Sequence, residues 1–556
     1  MTLFQTLRLQ SDVLRDAGAI TPVMLTALTT AFVFCIDNGT FWSIASDVFS
    51  GHALSFAGYM LAVFSLTLAL FSLFAFPWSV KPFLIFIVIL SAVTSYYVDQ
   101  LGVIIDRDMI QNVMVTTLAE SRHLITPDFV IHVLVRGILP ALVIAWVRIR
   151  RHGRIRTALV PVLTCVTSLA LAAGLLMADL KSYSSILRER KDFMSSYQPG
   201  APVVGAIRYA KMMSRTANVV VTRIGTDATR GASYAAKGKP LLTIVVAGET
   251  ARAQNFSLNG YGVDTNPELA KRPVVNFGNV SSCGTATAVS LPCMFSKYTR
   301  ADYSYEKGIA TENVLDVIRH AGLNVVWWDN NTGDKGIGKR IATRSFTDAQ
   351  DPQYCDAGEC MDGVFMDALE TFADTITQDT VLVLHQMGSH GPTYYLRYPP
   401  EFERFKPACN TAEFKSCTPQ EITNAYDNTI AYTDHILART IDLLAAQDRL
   451  STALLYVSDH GESLGESGLY LHGSPYFMAP EYQTQVPMIL WMSGSFKDRF
   501  GIDQTCLAGQ TDKALSHDNL FHSLLGMLDI RTVERNDDLN IFASCKTKQK
   551  VAANEG

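Results

Sequence analysis

The sequence predicts two architectures in one chain: an α-helical membrane domain of five spans, then an α/β domain built on a central, mostly parallel sheet. Three observations predict this. Almost all uninterrupted apolar runs lie before about residue 180. From about residue 238, apolar strand-like runs alternate with amphipathic helical patterns. Eight of the ten cysteines fall after residue 280. A chain of 556 residues is long enough for more than one domain, and the divisions read as 1–180, a bridging segment 181–237, and 238–556. The 48% apolar content is high for a soluble enzyme, but that average hides the asymmetry between the two parts. The net charge of -5, without any Lys/Arg block, gives no sign of a nucleic-acid partner.

Charge-poor stretches long enough to cross a bilayer occur at 20–36, 53–76, 82–98, 128–147 and 158–178. The first is short and is expected to extend through Phe41 and Trp42, with Asp37 at the interface. No small-residue cleavage site follows it, so it reads as an uncleaved anchor. His132 and Arg136 in the fourth stretch must snorkel or face the protein interior. Arg148, Arg150, Arg151, Arg154 and Arg156 mark the loop between the fourth and fifth spans as cytoplasmic, and Lys81 marks the other inside loop. The loop 37–52 carries no Lys or Arg and lies outside. Five crossings from a cytoplasmic N-terminus then put everything after residue 180 outside.

Cysteine usage points the same way. Cys35 and Cys165 sit inside apolar runs and read as small buried hydrophobes. The others form close couples, Cys283/Cys293, Cys355/Cys360 and Cys409/Cys417, with Cys506 and Cys545 left over. Short couples suggest disulfides in an oxidising compartment. Zinc binding by thiolates is the alternative, and the lack of any CxxC argues against it. Spacing alone leaves the connectivity open, including whether Cys506 pairs with Cys545.

Two stretches between these blocks are polar. In the outside loop 99–127, Asn112, Thr116 and Glu120 recur every four residues, which would stack them on one helix face. A solvated face is the plain reading. Residues 181–235 interleave Lys/Arg with Tyr and Met, as in an amphipathic bridge on a membrane surface or a simple polar linker.

In the second half, strands are expected at Leu241–Ala247, Asn324–Trp328, Val381–Leu384, Ala453–Val457 and Met488–Trp491. Between them one helical pattern places Tyr426, Ile430, Thr433, Leu437, Ile441 and Leu444 on a stripe. Alternation of this kind argues a sheet covered on both faces, with ligands bound beyond the carboxyl ends of its strands. The reactive residues sit at those ends. The first strand runs into Gly248-Glu249-Thr250, and the fourth into Ser458-Asp459-His460-Gly461-Glu462. Two carboxylates and an imidazole suit a hard or borderline cation, zinc first, although a strand-end Asp alone is more often a helix cap. Ser281-Ser282-Cys283-Gly284-Thr285-Ala286-Thr287 reads as a turn opening a helix, where an anion is favoured. A metal beside Thr285 would turn its hydroxyl into a nucleophile; otherwise Thr285 is a helix cap. His385, His390 and His472 are further candidates, each of which alone could be structural. These residues imply a membrane-tethered, metal-assisted phosphoryl or sulfuryl transferase.

The chain resembles the phosphoethanolamine transferases that modify lipid A, the family that includes the transferable polymyxin-resistance enzymes. Four segments carry the likeness, along with the spans and the polar loop. The first is Gly248-Glu249-Thr250-Ala251-Arg252-Ala253 with Asn255-Phe256-Ser257-Leu258-Asn259-Gly260-Tyr261. Then come Ser282-Cys283-Gly284-Thr285-Ala286-Thr287, Ser389-His390-Gly391-Pro392-Thr393-Tyr394-Tyr395, and Ser458-Asp459-His460-Gly461-Glu462-Ser463. The resemblance implies an alkaline phosphatase/sulfatase-like fold, with one or more Zn²⁺ ions held by Glu249, Thr285, Asp459 and His460. Thr285 would be the nucleophile. It would take phosphoethanolamine from phosphatidylethanolamine, release diacylglycerol, and pass the group to a lipid A phosphate. Substrate contacts would fall to Asn112, Thr116, Glu120, Asn331, Lys335, His390, Glu462 and His472. Either His390 or His472 would protonate the leaving oxygen. The segment 331–338 lacks a cysteine pair that some relatives carry. The resemblance further implies a monomer in a bacterial inner membrane, with its catalytic domain in the periplasm and no nucleic-acid partner. A core-sugar or other glycan acceptor is the nearest alternative, and a non-catalytic lipid-binding protein the alternative from another class. A sulfatase is disfavoured, because Thr285 lacks a C/S-x-P-x-R setting.

Overall fold

The computed structural model describes residues 19–547 apart from 151–152, 236–237, 348 and 357. Arg151 of the cytoplasmic arginine group therefore lies outside the described residues. The chain forms two compact units: residues up to Arg107 together with Ile125–Ala206, and Asp108–Leu124 together with Ile207 onward.

In chain order the helices begin α1 (Pro22–Ile36), α2 (Gly39–Val48), α3 (Ala53–Ser72) and α4 (Val80–Leu101). Next come α5 (Arg107–Val115) and α6 (Leu118–His123), then α7 (Pro127–Trp146) and α8 (Arg154–Ala178). Four of these, α3, α4, α7 and α8, are long and apolar enough to cross a bilayer, and α1 with α2 makes a fifth only if the pair counts as one bent span. The first span does not run straight on through Asp37 to Trp42 as expected. It ends at Ile36, and α2 leaves at 69°. Asn38 pins this corner. Its side-chain amide donates to the Val33 carbonyl at 2.9 Å and to the Gln198 carbonyl at 3.0 Å, while its Oδ1 accepts from Gln198 N at 2.7 Å. Phe41, expected in a continued span, is instead fully buried and stacks on Phe193 with ring centroids 4.9 Å apart. Cys35 is exposed and Cys165 partly so, which corrects their reading as buried: both lie on helices whose outer apolar faces have no protein cover.

The second unit is organised by an eight-stranded sheet. Its strands are β1 (Leu241–Gly248), β2 (Val275–Ser281), β3 (Asn324–Asp329), β4 (Ala342–Ser345), β5 (Thr380–His385), β6 (Ser451–Ser458), β7 (Gln485–Met492) and β8 (Leu515–Ser516). They lie in the order β8-β2-β7-β6-β1-β5-β3-β4. All neighbours pair parallel except β7, which runs antiparallel to both β2 and β6, so the sheet is mixed. Strands β1, β5 and β6 are buried along their whole length, as a sheet covered on both faces requires. Side chains such as Val245, Leu455, Phe277, Trp327 and Phe521 fill one face. Each fully buried side chain of this kind contributes ~2 kcal/mol of apolar burial.

Helix α12 will denote Pro419–Ala445, with α9 (Leu180–Glu189), α10 (Gly200–Thr216) and α11 (Thr287–Met294) preceding it. Thr418 and Glu421 form a capping box at the start of α12, and its expected stripe, Tyr426 to Leu444, is buried. Helix α13 (Asp518–Met527) follows β8 directly.

The polar loop departs from expectation. Asn112, Thr116 and Glu120 do not share one continuous helix. Helix α5 stops at Val115, the Thr116 hydroxyl turns back to the Asn112 carbonyl at 2.8 Å, and Thr117 caps α6 by accepting from Glu120 N at 3.2 Å. Four disulfides join Cys283–Cys293, Cys355–Cys360, Cys409–Cys417 and Cys506–Cys545, all in the second unit. The last closes the pair that spacing had left open.

Candidate metal centre and active site

Parallel strands β1 and β6 end side by side, with Gly248 opposite Ser458, so the residues that follow them meet. Glu249, Asp459 and His460 are fully buried, and each offers a ligand atom within 4.8 Å of the others. The backbone is held to this arrangement. Thr250 takes a positive φ of 56°, which is unusual for a residue with a branched side chain. Its amide donates to Asp459 Oδ1 at 3.1 Å and its hydroxyl to Glu249 Oε1 at 2.5 Å. Gly388 packs so closely on this turn that a Cβ there would lie 2.5 Å from the Glu249 carbonyl.

The charges in this cluster do not balance without help. Burial pushes both carboxyls up, but His460, His390 and His385 outweigh it at Glu249 and hold that carboxyl low. Asp459 stays raised, by burial and then by the charge of Glu249. Its Oδ2 is buried and has no hydrogen-bond partner. A second orphan points into the same space: His385 Nε2 is unbonded, 4.0 Å from Glu249 Oε2, while Nδ1 is fixed on Asp329 at 2.9 Å. Two buried carboxylates, one of them with an unsatisfied oxygen, and an imidazole are a donor set that zinc fits.

The two threonines of the turn separate cleanly. Thr285 is tied to a loop: its hydroxyl donates to the Ser474 carbonyl at 2.6 Å, and its own carbonyl accepts from Gly473 N at 2.7 Å. The Thr285 hydroxyl is thus committed to a carbonyl of another loop. Thr287, the first residue of α11, instead directs its hydroxyl to Glu249 Oε1 and Oε2, both at 3.1 Å, and lies 3.3 Å from His460 Nε2. At a helix N-terminus the backbone amides and the dipole also favour an incoming anion.

Most of the other expected contacts gather around this core. Asn331 donates through Nδ2 to Glu249 Oε2 at 2.9 Å and to the Gln386 carbonyl at 2.7 Å, so it positions the carboxylate. Lys335 adopts φ 46° and donates from Nζ to the Thr332 carbonyl at 2.7 Å and to the Thr332 hydroxyl. Burial lowers its pKa, against the pull of Glu249, Asp329 and Glu120. The His472 ring lies 4.4 Å from that of His460 and 5.5 Å from that of His390. His472 Nδ1 is 2.8 Å from Glu462 Oε2, and Glu462 Oε1 accepts from the Tyr394 hydroxyl at 2.7 Å. Burial raises the Glu462 carboxyl to about 8 and drives His472 well below the usual imidazole range. From the polar loop, Glu120 Oε1 lies 3.3 Å from His390 Nε2, and Gln111 donates to the Ala288 carbonyl at 3.4 Å. Within the loop the Thr116 hydroxyl is held by the Asn112 backbone carbonyl, while the Glu120 side chain reaches His390.

Sequence reasoning passed over Thr287 and His517. Thr287 stands in the same motif as Thr285, and its place as first helical residue was the available signal. His517, just before α13, carries no local motif. It is nonetheless buried between the two halves of the site, with Nδ1 accepting from Cys283 N at 3.0 Å and Nε2 on the Ser458 carbonyl at 2.9 Å.

A mixed sheet with an acidic, histidine-rich cluster at its strand ends and a hydroxyl at a helix start is the arrangement of the alkaline phosphatase/sulfatase class. The sulfatase family matches residues 242–530, and the phosphoethanolamine transferase EptA/EptB N-terminal family matches residues 63–213. Phosphoethanolamine transferase EptA of Escherichia coli K12 is 42% identical over 501 residues, 89% of this chain and 91% of that protein. Phosphatidylethanolamine transferase Mcr-1 of Escherichia coli is 34% identical over 553 residues, 94% of this chain and 98% of that protein. The structure of the integral membrane lipooligosaccharide phosphoethanolamine transferase A (EptA) of Neisseria meningitidis superposes with a TM-score of 0.91 at 34% identity, covering 94% of this chain and 99% of that one. The chain belongs to the EptA-type phosphoethanolamine transferases.

Proposed function

We propose that this protein transfers phosphoethanolamine from phosphatidylethanolamine to a phosphate of lipid A, with Thr287 rather than Thr285 as the nucleophile. The observation that carries this reading is the Thr287 hydroxyl at 3.1 Å from Glu249, inside a buried cluster of carboxylates and histidine that fits a metal. The names of relatives support the group transferred and its phosphatidylethanolamine donor, and a further relative from Salmonella typhimurium, named for Kdo(2)-lipid A, supports the acceptor.

Glu249, Asp459 and His460 would hold zinc, whose charge lowers the pKa of a neighbouring hydroxyl and neutralises a phosphoryl group in transfer. Thr287 Oγ attacks the donor phosphorus, the bond from phosphorus to the glycerol oxygen breaks, and diacylglycerol leaves after taking up a proton. His390, paired with Glu120, is the better proton source, because burial keeps His472 neutral. In the second half an oxygen of the lipid A phosphate attacks the same phosphorus, and Thr287 Oγ leaves and regains its proton. Lys335, drawn toward its charged form by Glu249, Asp329 and Glu120 against the effect of burial, would face the phosphoryl oxygens, while Asn331 holds Glu249 in place. The added ammonium offsets lipid A's negative charge and so weakens the attraction of cationic peptides such as polymyxin.

This chemistry needs both lipids in one leaflet. We read α1 and α2 together as one bent crossing, which makes five spans in a bacterial inner membrane with the second unit on the periplasmic side. The test is the lipid A mass spectrum of cells expressing wild type and Thr287→Ala. Phosphoethanolamine should appear with wild type alone; modification by Thr287→Ala at the wild-type level would overturn the assignment.

A further inference from the structure

His517 touches no reacting group, yet it closes a ring of hydrogen bonds around the site. Its Nδ1 faces the Cys283 amide, which can only donate, so Nδ1 must carry the lone pair. Its Nε2 faces the Ser458 carbonyl, which can only accept, so Nε2 must carry the hydrogen. Both of these partners are backbone groups, so the tautomer is fixed from two sides; the Ser290 hydroxyl, 3.5 Å from Nδ1, gives its hydrogen to the Asp459 carbonyl instead. The ring continues through the turn. Gly284 N donates to Ser290 Oγ at 3.1 Å, and Ser290 Oγ donates to the Asp459 carbonyl at 2.5 Å. The backbone amide of His517 also donates to the Ser281 carbonyl at 2.9 Å. One imidazole, 2% exposed, thus joins the segment that leads to Thr287 with the segment that leads to Asp459 and His460.

We infer that His517 is a positioning residue, which sets the nucleophile turn in register with the strand end bearing the metal ligands. The turn belongs to β2 and α11 and the ligands to β6, and β2 and β6 are not neighbours: β7 separates them. Sheet hydrogen bonding therefore does not fix their relative depth directly. A displacement of Thr287 by about 1 Å would cost of order 100-fold in rate while leaving substrate binding intact. This role rests on the assignment of Thr287 as nucleophile.

Two substitutions divide the bonds. In His517→Asn the short amide can place its oxygen where Nδ1 stands, keeping the Cys283 contact and releasing Ser458. In His517→Gln the longer amide can place its NH2 where Nε2 stands, keeping Ser458 and releasing the turn. Full-length protein in detergent is assayed for release of labelled diacylglycerol from fluorescent phosphatidylethanolamine, alongside thermal midpoint and hydrogen exchange of the peptide covering 282–290. The expected result is a kcat loss of ~10- to 100-fold in His517→Gln at unchanged KM, with faster exchange in 282–290. His517→Asn should retain most of kcat and wild-type exchange. Equal exchange and equal kcat in the two variants, or activity that simply follows thermal stability, would overturn the inference. A wild-type protein that releases no diacylglycerol refutes the transferase reading instead, and the exchange pattern still decides whether His517 tethers the turn.

Discussion

The hydroxyl of Thr287 is equidistant from the two carboxylate oxygens of Glu249, at 3.1 Å from each. This bifurcated contact separates Thr287 from Thr285, whose hydroxyl faces a carbonyl in another loop. Removing the two hydroxyls should therefore have unequal effects. Thr287→Ala should lower diacylglycerol release by ~1000-fold or more. Thr285→Ala loses one neutral hydrogen bond, ~1 kcal/mol, and should lower it by less than tenfold. Steady-state assays on phosphatidylethanolamine check both, and the reverse order would return the nucleophile to Thr285.

The orphaned Oδ2 of Asp459 makes metal content the next test. Purified protein should carry near-stoichiometric zinc by elemental analysis, and Asp459→Ala should lose it. Chelation of wild type should abolish transfer, and added zinc should restore it. Equal metal content in wild type and variant would place the ion elsewhere.

His517 adds a pH dependence with a definite sign. Burial lowers its imidazole from 6.5 to about 4. Between those values the unfolded chain takes up a proton that the folded protein refuses, so stability falls as the pH drops from 6.5 toward 4. The full effect is about 3 kcal/mol, at ~1.4 kcal/mol per pKa unit. Thermal midpoints of wild type and His517→Asn across pH 4–7 should converge at the acid end, and parallel curves would contradict it.

The Cys506–Cys545 disulfide joins residues 39 apart and ties the end of the described chain to the short helix Gln504–Ala508, beside the bond from Asp503 N to the Cys545 carbonyl. Closing a loop of that length restricts the unfolded chain by about 4 kcal/mol in the chain-entropy treatment. The double substitution Cys506→Ser with Cys545→Ser should lower the denaturation midpoint while leaving metal content unchanged.

Legibility in the sequence follows burial. Strands β1, β5 and β6 carry near-continuous apolar runs because both of their faces are covered, and they stand out for it. The edge strand β4 is exposed at all four residues, and β8 has only two, so neither carries a pattern. Glu249, Asp459 and His460 are legible because strand ends deliver them. The choice between Thr285 and Thr287 is not local, since the Ser474 carbonyl that claims Thr285 comes from 189 residues further along. The corner at Asp37 is hidden for the same reason: Gln198, 160 residues away, holds it.

The second unit is assembled from two stretches, Asp108–Leu124 and the chain from Ile207 onward, and Glu120 meets His390 within it. If the chain between them crosses a membrane, it must return to the side it left. The number of crossings from 125 to 206 therefore has to be even, and α7 and α8 are the two helices there fit to cross. A copy inserted with one of them stranded in the wrong leaflet would strand Glu120 opposite its partner. The Glu120–His390 contact is thus compatible only with α7 and α8 crossing as a pair, or not at all.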